Sequence, residues 1–144
     1  MLKGMNNTER TSVTVSAKIN APVKKVWERR TSPEHITKWN HASDDWHSPN
    51  AVNDLREGGK FCYEMAAKDG SMSFDFEGVY TKVVPHELIE YIMDDGRKVK
   101  ITFEETGEGV LVTETFDAEQ MNPVEMQRAG WQAIMDNFKK HTES

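Results

Sequence analysis

The chain lacks the features that define several large classes of protein. It has a single cysteine in 144 residues, Cys62. One cysteine excludes an internal disulfide framework and a cysteine-based zinc site. Positive charge is scarce: 18 Lys and Arg stand against 24 Asp and Glu, a formal net charge of −6. No field exists to hold a phosphate backbone, so nucleic acid is not the expected partner. No long apolar run is present and the mean hydropathy is −0.71, which argues against a membrane span. No charged-then-apolar leader opens the sequence, so a cytoplasmic location is expected. Repeats and low-complexity segments are also missing. What the chain does hold is eight Met, four Trp, three Tyr and six Phe within a charged sequence. Such a mixture points to an adaptable apolar interior.

The length is one domain's worth and suffices to bury a real core. Residues 1–10 are polar and aperiodic and read as a loose tail, leaving 11–144 as one domain. Val13, Val15, Ala17 and Ile19 alternate with Thr14, Ser16 and Lys18, the pattern of a half-buried strand. Pro22 then suits the first turn of a helix, with Val23, Val26 and Trp27 as its apolar stripe. Ser32-Pro33-Glu34 starts a second short helix, with Ser32 as the expected N-cap and Ile36 and Trp39 on the buried side.

Asn40 to Pro49 reads as irregular, and Ala51 to Arg56 as a weak strand. Gly58-Gly59, Asp69-Gly70 and Asp95-Gly96 mark hairpin turns. Between them, Phe61, Tyr63 and Met65 share one parity, as do Met72, Phe74 and Phe76. So do Ile89, Tyr91 and Met93, then Val99, Ile101 and Phe103, then Val110, Val112, Glu114 and Phe116. Alternation breaks after Gly78, where a bulge or bend is expected. Asn122-Pro123-Val124-Glu125 predicts a capped helix start, with Asn122 as N-cap and Glu125 reaching back to it. From there to about His141, Val124, Trp131, Ile134, Met135 and Phe138 keep helical spacing. Strand, two short helices, about six strands and a long helix make an α+β antiparallel meander. One sheet face needs cover, and only the last helix is large enough to give it.

These motifs in this order resemble the START-like (SRPBCC) superfamily. Ile19-Asn20-Ala21-Pro22 with Val26-Trp27, and Ser32-Pro33-Glu34-His35-Ile36 with Trp39, carry the first half of the likeness. Asp54 to Phe61, Gly78 through Val84-Pro85-His86-Glu87-Leu88, and Gly130-Trp131 carry the second. The set looks like the branch related to the C-terminal domain of the activator of heat-shock-protein ATPase. The resemblance covers roughly residues 11–141. It implies a helix-grip fold, a curved antiparallel sheet around a long C-terminal helix, with a deep apolar cavity between them. It does not imply one chemistry: members bind lipids, steroids, flavonoid-like compounds or polyketides, some act as cyclases or in hydroxylating systems, and one branch serves a chaperone.

The expected ligand-binding set follows from the inward parities and the helix stripe: Phe61, Tyr63, Phe74, Phe76, Tyr91, Phe103, Trp131 and Met135, with Trp39 and Trp46 roofing the mouth. Each of these side chains equally suits a plain core. Glu114 stands out because it shares its parity with Val112 and Phe116. A buried carboxylate needs a partner or takes up a proton. It is a polar anchor or general base inside the cavity; or its strand end turns to solvent; or an Arg, Lys or Tyr satisfies it. Gly130 beside Trp131 either leaves room in the cavity or allows close packing on a strand.

Metal and cofactor are expected to be absent: the Asn40–His47 loop is rich in His and Asp but matches no zinc spacing. Gly58-Gly59 lacks the context of a phosphate loop, and Cys62 alternates outward with no neighbouring His, against a nucleophile role. The expected function is binding of a small hydrophobic molecule (a lipid, a polyketide or a flavonoid-like compound). The alternatives are a cavity enzyme using Glu114, Tyr63, Tyr80 or a loop His as acid or base, and a regulator in contact with a chaperone.

Overall fold

A computed structural model describes residues 10–144. The expected tail over 1–10 lies, but for Arg10, outside the described residues. Strand β1 (Ser12–Ile19) leads into two short helices, α1 (Val23–Thr31) and α2 (Pro33–Trp39). Two short strands, β2 (Trp46–His47) and β3 (Ala51–Asn53), precede a meander of β4 (Lys60–Ala67), β5 (Ser73–Val84), β6 (Leu88–Met93), β7 (Lys98–Thr106) and β8 (Gly109–Asp117). Helix α3 (Val124–Glu143) closes the chain. All strands form one antiparallel sheet in the order β1-β8-β7-β6-β5-β4-β2, with β3 also paired to β4. The sheet is curled and α3 lies against it, which is the helix-grip arrangement. Among the described residues, no helix is long and apolar enough to cross a membrane.

Side-chain parity places the core. Val13, Val15 and Ile19 of β1 meet Val110, Val112 and Phe116 of β8, and Val99, Ile101 and Phe103 of β7 continue the same face. Met135 and Phe138 press down from α3, while Val26, Trp27 and Ile36 fill the space under α1 and α2. Trp131 stacks flat on Phe116, with centroids 3.9 Å apart and planes 8° from parallel.

The free edge of β1 is closed by side chains of α3. Arg128 Nη1 donates to Thr14 O at 3.2 Å, Gln132 Nε2 to Ser16 O at 2.9 Å, and Lys139 Nζ to Lys18 O at 2.6 Å. Covering an edge in this way removes a template for pairing with another chain.

The local expectations meet mixed outcomes. The irregularity expected after Gly78 is present, as a register shift between Tyr80 and Lys82. Gly78 meets a different demand: a Cβ there would stand 2.9 Å from Phe61 Cε2 and 2.8 Å from Ile92 O. The missing side chain lets the Phe61 ring sink onto the sheet. Asn122 does not cap α3, which starts at Val124 without a side-chain cap. Instead Gln127 Nε2 donates to Glu119 O and Asn122 O, and Gln127 Oε1 accepts from Glu119 N, so the clamp comes from inside the helix. Ser32 holds the N-cap position of α2 but its hydroxyl makes no capping bond. Finally, the segment read as irregular contains β2, whose two residues pair with Ala67 and Ala66. Two residues are too few for alternation to register.

At the other end of α3, His141 meets His35 of α2. Arg29 Nη1 lies 3.2 Å from His35 Nε2, and His35 Nδ1 lies 3.0 Å from His141 Nε2. Arginine can only donate, so His35 Nε2 accepts, and His35 Nδ1–H donates to His141. Burial, then His35 and the cations Arg29, Lys38 and Lys25, hold the His141 pKa below 6.5.

Two outcomes follow for stability. Gly130 sits inside α3 with open space where a Cβ would go, so Gly130→Ala should stabilise by about 1 kcal/mol through helix propensity. Gly78→Ala should destabilise by about 1–3 kcal/mol through overpacking. Urea melts of the two variants check the opposite signs. For His141, the unfolded chain binds a proton below about pH 6.5 that the folded chain resists. Its contribution is therefore complete above that value and is lost as pH falls. Thermal melts from about pH 7.5 down to about 5.5 should show a steeper loss in wild type than in His141→Gln.

Candidate functional site

The site is built outward from the end of α1. The last carbonyls of a helix lack intrahelical partners, and here two are taken by neighbouring elements. Trp39 Nε1 donates to Arg29 O at 2.8 Å, and Asn53 Nδ2 donates to Thr31 O at 2.7 Å. Tyr80 OH in turn donates to Asn53 Oδ1 at 2.5 Å. The backbone on both sides of Arg30 is thus fastened, one side to α2 and the other to β3 and β5. Arg30 follows Val23, Val26 and Trp27 at the next position of the α1 stripe, so its side chain runs inward.

Inside, the guanidinium meets Glu114. Arg30 Nη2 lies 3.5 Å from Glu114 Oε2, with both side chains almost wholly buried. Glu114 sits in mid-sheet, flanked by Val15 of β1 and Ile101 of β7. Arg30 also lies over the Trp39 ring, 5.1 Å from its centroid, a cation–π contact. Burial raises the Glu114 carboxyl above its ordinary range, and Arg30 only partly offsets this. For Arg30, burial opposes the charge, but attraction to Glu114 and the tyrosines outweighs it and raises its pKa. Burial likewise pushes the hydroxyls of Tyr63, Tyr80 and Tyr91 upward. The three phenols therefore stay neutral donors or acceptors, while Arg30 stays charged.

The pair borders a chamber of about 170 Å³ between the sheet and α3. Trp39, Tyr63, Phe76 and Tyr91 form walls on the sheet and α2 side, and Trp131, Ile134, Met135 and Phe138 form the α3 side. Asn40, Met65 and Phe74 complete it. Its outer end meets a second depression of about 350 Å³, and the two share Met65, Phe74, Trp131 and Ile134. Trp46, Met126 and Gly130 border that outer part. Arg30 and Glu114 border only the inner one, so the charged pair lies deep and the apolar residues lie at the mouth. A wider groove of about 890 Å³ near the β7–β8 turn is lined mainly by polar side chains and backbone, and gathers no comparable chemistry.

The structure brings most of the expected residues to this chamber: Trp39, Tyr63, Phe74, Phe76, Tyr91, Glu114, Trp131 and Met135. It does not bring three of them there. Phe61 lies behind the wall, packed on Tyr63, Phe76, Tyr80 and Tyr91. Phe103 shares the inward parity but sits farther along the sheet, edge-on to Trp27. Trp46 stands outside, against Phe74 at the mouth. Arg30 is the residue that sequence reasoning missed. Its signal was its place on the α1 stripe, three residues after Trp27. Of the alternatives open for Glu114, the inward orientation with an arginine partner is the one observed.

Gly130 makes no close approach to a strand and lies at the mouth. In the His- and Asp-rich loop Ser43 Oγ donates to Asp45 Oδ1, and the His41 backbone carbonyl accepts from Asn137 Nδ2 of α3. Among the described residues, Cys62, Asp75 and Glu77 come together on the outer sheet face.

Comparison with known proteins agrees with this architecture. The family described as Activator of Hsp90 ATPase homolog 1-like protein matches residues 20–143. The solution structure of the AHSA1-like protein from Aeromonas hydrophila is 44% identical, with 92% of each chain covered and a TM-score of 0.87. The solution structure of Chr148 from Cytophaga hutchinsonii is 51% identical, covering 93% of this chain and 92% of that one, with a TM-score of 0.78. Protein CV1439 from Chromobacterium violaceum, at 22% identity and a TM-score of 0.83, shares the fold. None of the curated proteins matches the chain. By its sequence match over nearly the whole length and by the same curled sheet and closing helix, the chain belongs to the Activator of Hsp90 ATPase homolog 1-like family, within the START-like superfamily.

Proposed function

We propose that the protein binds a small, mostly apolar molecule in the chamber between the sheet and α3. The observation that carries this reading is an aromatic-walled space with a buried ion pair at its inner end and an apolar mouth. Ligand sites commonly combine apolar walls with a few convergent polar groups. The size is informative: an apolar cavity of about 150 Å³ suffices for one benzene ring. The inner chamber therefore takes a single ring or a short chain, and anything larger extends through the mouth. Burial of apolar ligand surface supplies the driving force, at about 25 cal/mol per Å² before binding costs.

A library of lipids, planar polyphenols and aryl compounds should contain molecules that raise the melting temperature. At a hundredfold excess over Kd the gain is about 2.7 kcal/mol. Ile134→Phe, which fills the wall shared by chamber and mouth, should remove that gain. Melting curves unchanged by every compound would count decisively against the reading.

The family description supports a second reading, contact with a chaperone of the Hsp90 type and regulation of its ATPase. On this reading, adding the protein to such a chaperone changes its ATP hydrolysis rate and the two co-purify. An unchanged rate together with no co-purification removes it.

A further inference from the structure

The inner end of the chamber is chemically one-sided. Arg30 brings five N–H donors in a rigid fork. It meets the Glu114 Oε2 acceptor at 3.5 Å, and the Tyr63 hydroxyl also stands within hydrogen-bonding reach of its guanidinium. A well-made charge-assisted bond is about 2.7–2.9 Å, and arginine pairs best with a carboxylate through two parallel bonds. The contact with Glu114 is single and long. The sealed, partnerless polar side-chain atoms among the described residues are His41 Nδ1 and Thr142 Oγ1, and no nitrogen of Arg30 is among them. The remaining donors are therefore not sealed off, and Arg30 lines the chamber. Trp39 covers the face of the guanidinium, leaving its N–H edge as the recognition surface.

We propose that the ligand is a monocarboxylic acid bound head-inward, with its carboxylate on the Arg30 fork and its apolar body leaving past Trp131, Ile134 and Phe74. This rests on the reading of the chamber as a ligand site and names the class of molecule that fits it. An alcohol engages only part of the fork, and an amine meets the Arg30 charge directly. The polarity gradient fixes the direction: charge inside, apolar side chains at the mouth. The groups facing Glu114 and the bound head are Arg30 from α1, Tyr63 from β4 and Tyr91 from β6, with Tyr80 of β5 behind them, its hydroxyl on Asn53. From α3, Trp131, Ile134, Met135 and Phe138 line the chamber, and none of them titrates. Of these groups Glu114 is the one that competes with a ligand carboxylate. Two carboxylates cannot share one guanidinium in a buried site without one of them taking a proton. Binding is thus easiest when Glu114 is neutral.

The probes are decanoate, decanol and decylamine, and a ring series of phenylpropionate and phenylpropanol, each titrated calorimetrically at mildly acidic pH, where the free acids are still ionised. The acids should bind wild type about tenfold or more tightly than the matched alcohols, with the amine weakest. Glu114→Gln removes the competing charge and should raise the acid-over-alcohol ratio. Arg30→Gln should bring that ratio to near one, and Arg30→Lys, which keeps charge but loses the fork, should fall between. Equal binding of acid and alcohol by wild type overturns the proposal while leaving the chamber as a ligand site. So does a fall in the ratio on Glu114→Gln, because the carboxylate would then be the anchor. Binding of no head group of any kind overturns the chamber reading and this inference together. The wild-type comparison decides the matter even where an Arg30 variant fails to fold.

Discussion

The architecture depends on how one helix meets the free edge of one strand. A curled sheet that ends at β1 leaves a row of carbonyls with no strand to receive them. Arg128, Gln132 and Lys139 of α3 supply donors to Thr14, Ser16 and Lys18. The first interval matches: Arg128 to Gln132 advances about 6 Å and Thr14 to Ser16 about 6.6–6.8 Å, while the long Lys139 side chain spans the larger offset to Lys18. The helix is therefore laid along β1, with Trp131 stacked on Phe116 of the adjacent β8. A helix fixed there cannot also cover the far end of the sheet, where β4 and β5 lie. Tyr63 and Tyr91 then face a gap, and Phe76 borders it edge-on to Trp131. The chamber is a consequence of closing the edge, and no separate device is needed to hold it open.

That gap would be ordinary if its inner end were apolar. Instead it contains a guanidinium and a carboxylate. Removing two charges from water costs more than a single long contact returns, and replacement of such a pair by apolar residues often stabilises a protein. Stability therefore does not explain why Arg30 and Glu114 face each other here. The surrounding structure is nevertheless organised around them: Trp39 and Asn53 fasten the backbone on both sides of Arg30, Tyr80 steadies Asn53, and Trp39 covers the guanidinium face. A group held this firmly at a thermodynamic disadvantage is best understood through what it presents to the chamber.

Much of this was legible in the sequence, and the gaps have physical causes. Strand parity is a strict period of two, so the inward set on β1, β4, β6, β7 and β8 could be read directly, Glu114 included. Parity gives the face of a sheet but not the position along it. Phe103 and Tyr91 share an inward face, yet one lies under α1 and the other at the chamber. Phe61 was out of reach for another reason: it is hidden by aromatic neighbours, and Gly78 makes its sunken position possible. Arg30 escaped because a charged residue at the end of a short helix normally reads as a solvated one. Only the stripe of Val23, Val26 and Trp27 indicated that it points inward. The start of α3 misled because Asn-Pro-Val-Glu satisfies a local capping pattern. The tertiary clamp of Gln127 on Glu119 and Asn122 took its place.

The two ends of α3 are held very differently, and this bears on how a molecule reaches the inner charges. Its C-terminal part is deeply packed through Met135, Phe138 and Thr142, tied to β1 by Lys139 and to α2 by His141. Its N-terminal part carries Met126 and Gly130 beside the mouth, opposite the exposed ring of Phe74. Glycine inside a helix lowers its local stability, and here it adjoins the part with the fewest buried side chains. Local opening follows low burial. Any widening of the chamber therefore begins at the end where the apolar mouth already lies, while the deeply packed C-terminal end stays in place.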